Sequence, residues 1–373
     1  MNVVGATHAF ERWLASEVSV VRSDLTLKHR AMAESPFAFF RATFYLWLLR
    51  WAEAAGDLAA APALLGVGDL HVENYGTWRD REGRLIWGVN DFDEAWPAAY
   101  TLDVVRLATS AYLAIWDGHL GLGRREAADA IEEGYRDALR EGGQPFILAE
   151  DHHWLRLLAL SKLRDPTRFW ARMRRHPAFT GAPPVQARRL LERSLPGRRP
   201  TYRLKRRVAG LGSLGQPRIL ALSSWHGAFI AREVKATRTA AWACWDRRLA
   251  RRCYGPQVIA RAVRVEDPET RFHDRWLLRR LAPDCSRIEL ASLPAKRDEG
   301  RLLYCMGWEM ANVHLGSRVA DRVRRDLERR RGRWLHRTTK TMLGVCLQDW
   351  AEWQRAWKKG AARVRGAGGS ARV

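Results

Sequence analysis

Between residues 66 and 94 the chain reads GVGDLHVENYGTWRDREGRLIWGVNDFDE, a strand-like, apolar stretch that also carries Asp69, His71, Glu73, Asn74, Asp91, Asp93 and Glu94. Carboxylates crowded this closely repel one another unless a cation or protons offset them. Arg41 and Arg106 are expected to pair with these carboxylates, neither in a catalytic role. Two β-like runs, LLGVGDL and RLIWGVNDF, flank WRDREG, whose Glu82-Gly83 supplies turn chemistry, so the stretch is expected to form a hairpin with polar groups at both inner ends. Asp69 and Asn74 stand in the spacing D-x-x-x-x-N, which lets one loop present a carboxylate to a substrate hydroxyl and an amide oxygen to a metal. The hairpin would return Asp91 beside Asn74, where hard oxygen ligands with open water positions suit Mg²⁺. Asp and Asn are also ordinary turn residues, and a cap-and-turn network would use the same side chains.

The rest of the chain divides around this segment. Ser35-Pro36 is an N-cap followed by proline at the first helical position, and predicts one buried helix to about Ala55. Helical spacing recurs over 102–116, 124–140 and 154–173, so the first 175 residues are expected to be mainly α. Residues 180–200, rich in Pro, Gly and Arg, predict a mobile linker with a short helical turn or two. From Thr201 three strand-length runs follow, TYRLKRRVAG, RILALSSW and GAFIAREVKAT; RWLLRRL at 275–281 is a further strand, and helices are expected over 255–266, over 298–315 and after Ser317. The last residues, 356–373, contain too few large apolar side chains to fold.

Between the first two of those strands lies VAGLGSLG, with Gly210, Gly212, Ser213 and Gly215 in the pattern G-x-G-S-x-G. Glycines let backbone N–H groups approach phosphates closely. The loop leads into a strand rather than a helix, which argues against a dinucleotide or Walker loop and for a β-hairpin flap over a nucleotide. Lys235, at the end of FIAREVK, is placed as the strand lysine that would contact the phosphates.

Composition narrows the partners. The 373 residues include 18 Trp and an apolar fraction of 47%, ample for a sizeable core. Lys and Arg number 64 against 41 Asp and Glu, a net charge of +23 that favours anionic partners and that solvated helix faces explain equally. Five widely spaced cysteines without a metal-ligand pattern read as buried reduced thiols. The longest apolar run, at 37–49, is short and broken by Arg41, and no charged-then-apolar leader opens the chain, so a cytoplasmic protein without membrane association is expected.

GDLHVEN followed by NDFDEA resembles the catalytic and metal loops of aminoglycoside phosphotransferases and other protein-kinase-like enzymes. More closely, SPFAFFRA, GDLHVENYG, NDFDEAWPAAYTLDVVRLA, GLGSLG and REVKA together resemble the bacterial family known as domain of unknown function 2252. This implies an α+β, two-lobe, kinase-like fold with its parts in circularly permuted order. Residues 1–196 would form the large catalytic lobe, 201–292 the small nucleotide-binding lobe, 293–355 the helices completing the large lobe, and 356–373 a disordered basic tail. The implied activity is ATP- and Mg²⁺-dependent phosphotransfer to a hydroxyl of an anionic or neutral small molecule or a protein. Asp69 would be the catalytic base, Asn74, Asp91 and Asp93 the metal ligands, and Gly210, Gly212, Ser213, Gly215 and Lys235 the nucleotide contacts. Asp93 stands where kinases carry a glycine, and reads equally as a second metal ligand or a turn carboxylate. His71 reads as a residue that orients Asp69 or touches a phosphate, or as one that packs the loop. Asp103 resembles a structural aspartate of phosphotransferases, for which an N-cap suffices. Ala236 replaces the family's usual glutamate, and the helix after Gly255 lacks an internal acid, which puts a kinase-type Lys–Glu pair in doubt. Nucleotidyl (AMP) transfer on the same fold, and a catalytically silent scaffold that binds nucleotide or nucleic acid, remain as alternatives. For the latter, the arginine-rich C-terminal region is the expected polyanion contact.

Overall fold

The computed structural model describes residues 1–148, 152–159, 165–246, 248–249, 252–285, 290 and 298–361. Four helices open the chain: α1 (Val3–Glu17), α2 (Arg22–Glu34), α3 (Pro36–Ala42) and α4 (Phe44–Ala54). Ser35 caps α3 by accepting the Ala38 N–H at 3.0 Å, as its position before Pro36 requires. The single helix expected to Ala55 is in fact two. Thr43 leaves helical geometry (φ −124°, ψ 41°), and its hydroxyl donates to the Phe39 carbonyl at 2.7 Å.

The strand pairing also differs from expectation. After β1 (Ala63–Gly66) come β2 (Tyr75–Arg79), β3 (Leu85–Val89) and β4 (Trp96–Ala99). The hairpin is β2–β3, with Tyr75 opposite Val89 and Arg79 opposite Leu85, and Gly83 supplies the positive φ of its turn. LLGVGDL is not its first arm. β1 pairs with β4 instead, because the backbone beyond Gly66 turns its N–H groups to a carboxylate on the following helix.

That helix is α5 (Tyr100–Trp116), followed by α6 (Arg124–Glu141), the short strand β5 (Phe146–Ile147) on the free side of β3, and α7 (His153–Ala159). Then α8 (Pro166–Arg175) and α9 (Val185–Ser194) lead into β6 (Tyr202–Arg206), β7 (Arg218–Trp225) and β8 (Ala228–Ala236). After α10 (Trp242–Trp245) and α11 (Gly255–Arg261), β9 (Arg271–His273) and β10 (Trp276–Leu281) complete an antiparallel sheet of order β6-β7-β8-β10-β9. Strand alternation gives this sheet two apolar faces. Ile219, Ala221, Val234 and Leu278 pack with Ala187 and Leu191 of α9, whereas Leu220, Leu222, Ala231 and Leu281 pack with Phe169 and Met173 of α8. Residues 180–200 are thus no free linker: α9 lies within them and is bound to the sheet through its apolar stripe.

The chain continues through α12 (Glu299–Leu315), capped by Asp298, then α13 (Ala320–Arg329) and α14 (Trp334–Lys358). The expected tail boundary at 356 falls inside α14, and residues 362–373 lie outside the described residues. A large core joins α1, α3, α4, α5, α6, α12 and α14, and Trp353 of α14 is fully buried in it. Of the cysteines, Cys285, Cys305 and Cys346 are buried and Cys244 and Cys253 half-buried, so the expectation of uniform burial fails for two. No described helix is long and apolar enough to cross a membrane.

The α6–α12 contact explains two glycines that helix propensity disfavours. A Cβ on Gly134 would overlap the Tyr304 carbonyl, and one on Gly307 would overlap the Ile131 carbonyl, so the two backbones touch at these positions. Gly307→Ala should destabilise the fold by about 1–3 kcal/mol in urea titration, although alanine is the better helix former by roughly 1 kcal/mol. A stabilising substitution would contradict this contact.

Candidate functional site

The loop that follows β1 is fixed before it reaches any chemistry. Asp103, in the first turn of α5, accepts the N–H groups of Val67 at 2.6 Å and Gly68 at 2.9 Å. Its carboxylate also meets His314 Nε2 at 3.0 Å, and the Tyr135 hydroxyl reaches His314 Nδ1 at 2.8 Å. All three side chains are buried. Asp103 is therefore not the N-cap of α5, a position that Ala99 occupies; it anchors a loop from an element distant in sequence. Gly68 has φ +80°, and a Cβ there would overlap the Glu94 carbonyl, so only glycine lets the chain pass.

Asp69 comes next, its Oδ1 accepting Arg106 Nε at 3.0 Å and a terminal guanidinium nitrogen at 2.5 Å. Arg106 is wholly buried, its guanidinium 4.0 Å from the Phe40 ring centre and 4.8 Å from that of Phe44. Burial pushes the Asp69 carboxyl above its ordinary range, against the lowering pull of Arg106. Asn74 ties the two acidic loops together. Its amide donates to the carbonyls of Asp69 (3.0 Å) and Asp91 (3.1 Å), and its Oδ1 accepts the Asp91 N–H at 2.9 Å. His71 is buried at the cavity wall, with Nδ1 accepting the Glu73 N–H at 3.2 Å.

From the small sheet, Lys235 enters at the end of β8. Its fully buried ammonium stands 3.3 Å from Asp91 Oδ2 and also pairs with Asp93. Burial alone would raise the Asp91 carboxyl; Lys235 first, then Arg279 and Arg218, outweigh that and hold it well below the usual carboxylate range. On the other side, α12 supports β3: Glu309 accepts the Val89 N–H at 3.1 Å and the Asn312 amide at 2.8 Å, while burial pushes its carboxyl up to about 7.

The glycine loop lies directly over Asp69. Gly210 and Gly215 take positive φ (76° and 98°), and residues 211–213 form one 3₁₀ turn. At Gly212 a Cβ would stand 3.0 Å from the Arg41 carbonyl oxygen and 3.4 Å from Asp69 Oδ2. Ser213 Oγ accepts from Arg218 at 2.6 Å, Lys28 donates to the Gly212 carbonyl at 3.4 Å, and the Val21 N–H donates to the Gly215 carbonyl at 2.8 Å. What remains is a cavity of about 60 Å³ lined by Asp69, His71, Asn74, Asp91, Asp93 and Gly210–Ser213. Every site residue singled out from sequence thus converges on one cleft, except that Gly215 and Lys235 stand just behind its lining.

The expected pairing of Arg41 and Arg106 with the acidic loops is met, at Glu73 and Asp69, whereas sequence reasoning missed Lys28 and Arg238. Glu94 pairs with Arg238 and accepts the Ala241 N–H at 2.6 Å, Glu73 pairs with Arg41, and Lys28 is buried beneath the rings of Phe10 and Tyr45. Lys28 was detectable, since it shares a helical stripe with Leu25, His29 and Met32. Arg238 had no local signal. Among the described residues no group of three or more His, Cys, Asp or Glu side chains has metal-binding geometry. The oxygen donors present are the Asp91 and Asp93 carboxylates beside the Asn74 amide.

Residues 21–167 match the model of a family described as an uncharacterized protein conserved in bacteria, DUF2252. The match covers less than half of the chain. The match includes both acidic loops and their Asp103 anchor, and ends before the glycine loop and Lys235. The chain matches no curated protein and no solved structure.

Lys28 gives the site a pH signature. Burial lowers its pKa from 10.5 to about 8, so the unfolded chain binds the extra proton between those values and the fold gains stability as pH rises through that window. Lys28→Met should be more stable than the wild type at neutral pH, and its advantage should shrink by roughly 3 kcal/mol between pH 8 and 10.5 in denaturant titrations. A pH-independent difference would show that Lys28 is not held as a buried ammonium.

Proposed function

We propose that the cleft is the active site of an ATP- and Mg²⁺-dependent phosphotransferase whose kinase-like parts occur in circularly permuted order. The observation that carries this reading is the approach of Lys235 to within 3.3 Å of Asp91, across 144 residues of sequence, with Asp69 and the glycine loop in the same cleft. In chain order the acidic loops come first and the glycine loop and strand lysine follow, the reverse of a kinase. In this reading α12 takes the place of the helix that precedes a kinase catalytic loop, consistent with its hold on β3 and, through His314, on Asp103. No acid on α11 faces Lys235; Asp91 and Asp93 hold it instead.

The donor set fits Mg²⁺, which is commonly bound by one or two carboxylates with substrate phosphates and water rather than by an all-protein cage. Asp91, Asp93 and the Asn74 oxygen would hold it, and the ion would supply neutralisation of phosphate charge. Lys235 would move its contact from the two carboxylates to the nucleotide phosphates. Asp69, raised by burial and oriented by Arg106, would accept the proton of the acceptor hydroxyl. A nucleotide needs a pocket of roughly 300 Å³ or more, so the loop over Asp69 must lift from its present contacts with Arg41 and Lys28.

Calorimetry with Mg-ATP tests the binding half of the proposal. Micromolar to millimolar affinity, lost in Lys235→Met, is expected, and no binding at millimolar nucleotide would sink the reading. With γ-labelled ATP and a metabolite panel, Asp69→Asn and Asp91→Asn should each lower turnover by about a thousandfold or more in variants that circular dichroism shows to be folded. The mass of the product distinguishes phosphoryl from nucleotidyl transfer. The competing silent-scaffold reading draws on the Arg106 pairing of Asp69 and the closed loop, and predicts binding without turnover.

A further inference from the structure

Positive charge is distributed unevenly over this chain. Residues 165–207 contain twelve arginines and one lysine against two carboxylates, Asp165 and Glu192, which is 11 of the 23 net charges of the whole protein. This segment comprises α8, α9 and β6, which cover the two faces and one edge of the small sheet. The arginines on the outer sides of α8 and α9, such as Arg172, Arg175, Arg189 and Arg193, are exposed.

At one end of the same sheet the β7–β8 turn, with φ 49° at His226 and 82° at Gly227, carries two exposed aromatic side chains. Trp225 is 42% exposed and Phe229 39%, unusual in a chain that buries most of its aromatic residues. Register places them on opposite faces: Phe229 is opposite Ser224, in phase with Leu222 and Ala231 on the α8 face, whereas Trp225 is in phase with Ile219 and Ala221 on the α9 face. Each aromatic side chain has basic neighbours. Arg174 lies 5.5 Å from the Phe229 ring centre, with Trp170 at 5.7 Å, and the Trp225 ring rests on Gly197, next to the exposed Arg198 and Arg199.

We propose that this end of the small sheet binds single-stranded nucleic acid. The arginines track the phosphates, and Trp225 and Phe229 offer ring faces on which bases stack, the combination that sequence-tolerant single-strand binders use. A flat anionic membrane fits less well, because the arginines and aromatic rings are divided between opposite faces of the sheet, and a plane cannot touch both. The surface is separate from the cleft: Lys235 is at the far end of β8, roughly 20 Å away at the rise of a β-strand. The C-terminal arginines are the poorer candidate. Arg324 and Arg330 of that region pair with Asp321 and Asp326, and Trp334 beside them is buried.

Fluorescence anisotropy of the full chain with a fluorescein-labelled oligouridine of about 20 nucleotides tests the proposal, since single-strand sites of this kind span roughly 4–16 nucleotides. Affinity should fall at least tenfold between about 50 and 200 mM salt. R174E/R198E/R199E should weaken binding by about tenfold or more and flatten the salt dependence, whereas W225A/F229A should weaken it about tenfold with the salt dependence retained. Circular dichroism melting confirms that the variants fold, and ultraviolet cross-linking of the wild type gives an independent map, with adducts expected in residues 165–207 or 224–230. Absence of binding at low salt, binding indifferent to both variants, or cross-links confined to residues 318–361 would overturn the proposal. So would sedimentation with phosphatidylserine vesicles in a protein that ignores the oligonucleotide, which would assign the surface to membranes. None of these outcomes depends on ATP binding in the cleft.

Discussion

The Asp103 carboxylate is the fixed point from which the cleft is built. It neutralises two backbone N–H groups at the start of the acidic loop and meets a histidine from α12, all away from solvent. Buried backbone donors without partners cost about 1–3 kcal/mol each, so the loop has little freedom to adopt another path. Asn74 transmits that constraint to the second acidic loop through three hydrogen bonds to backbone groups. Asp103 and His314, which set the path of the acidic loop, do not themselves line the cleft, whereas Asn74 does.

Charge balance follows the same logic. Asp69, Glu73, Asp91 with Asp93, and Glu94 each acquire a cation, from Arg106, Arg41, Lys235 and Arg238 respectively. These cations arise from α5, α3, the end of β8 and the segment just beyond it. A segment that would repel itself in isolation becomes the place where three separate parts of the chain are drawn together. Removing one partner of such a buried pair is costly, since the other charge is left without compensation.

How far the sequence disclosed this depends on whether the signal was local. The Ser35 cap, the strands β6, β7, β8 and β10 of the small sheet and the start of α12 near Asp298 are written in neighbouring residues and were legible, whereas the three-residue β9 was not expected. The acidic loops and Lys235 were recognisable because their spacing is itself chemical, and they do meet in one cleft. The β2–β3 pairing was misjudged because the alternation of LLGVGDL says nothing about Asp103, 37 residues beyond Gly66, which diverts its backbone. Likewise α9 was obscured by prolines and arginines on both sides, while its stabilising contacts, Ala187 and Leu191 against the sheet, are tertiary. Arg41 was expected to pair with the acidic segment and does so at Glu73, whereas the Arg238–Glu94 pair has no signature except in three dimensions.

Gly212 sits where a Cβ would press on the Arg41 carbonyl and approach the Asp69 carboxylate, so the loop closes tightly over the cleft. A ligand that enters only after this loop lifts binds with an apparent affinity reduced by the fraction of molecules in the open form. Residues far from any bound ligand then govern affinity, since the Val21 N–H and the Lys28 ammonium both hold the loop down by its carbonyls. Weakening that hold would tighten binding without adding a single contact to the ligand. The second helix and its N-cap thereby acquire leverage over the equilibrium of a cleft whose chemistry resides elsewhere in the chain.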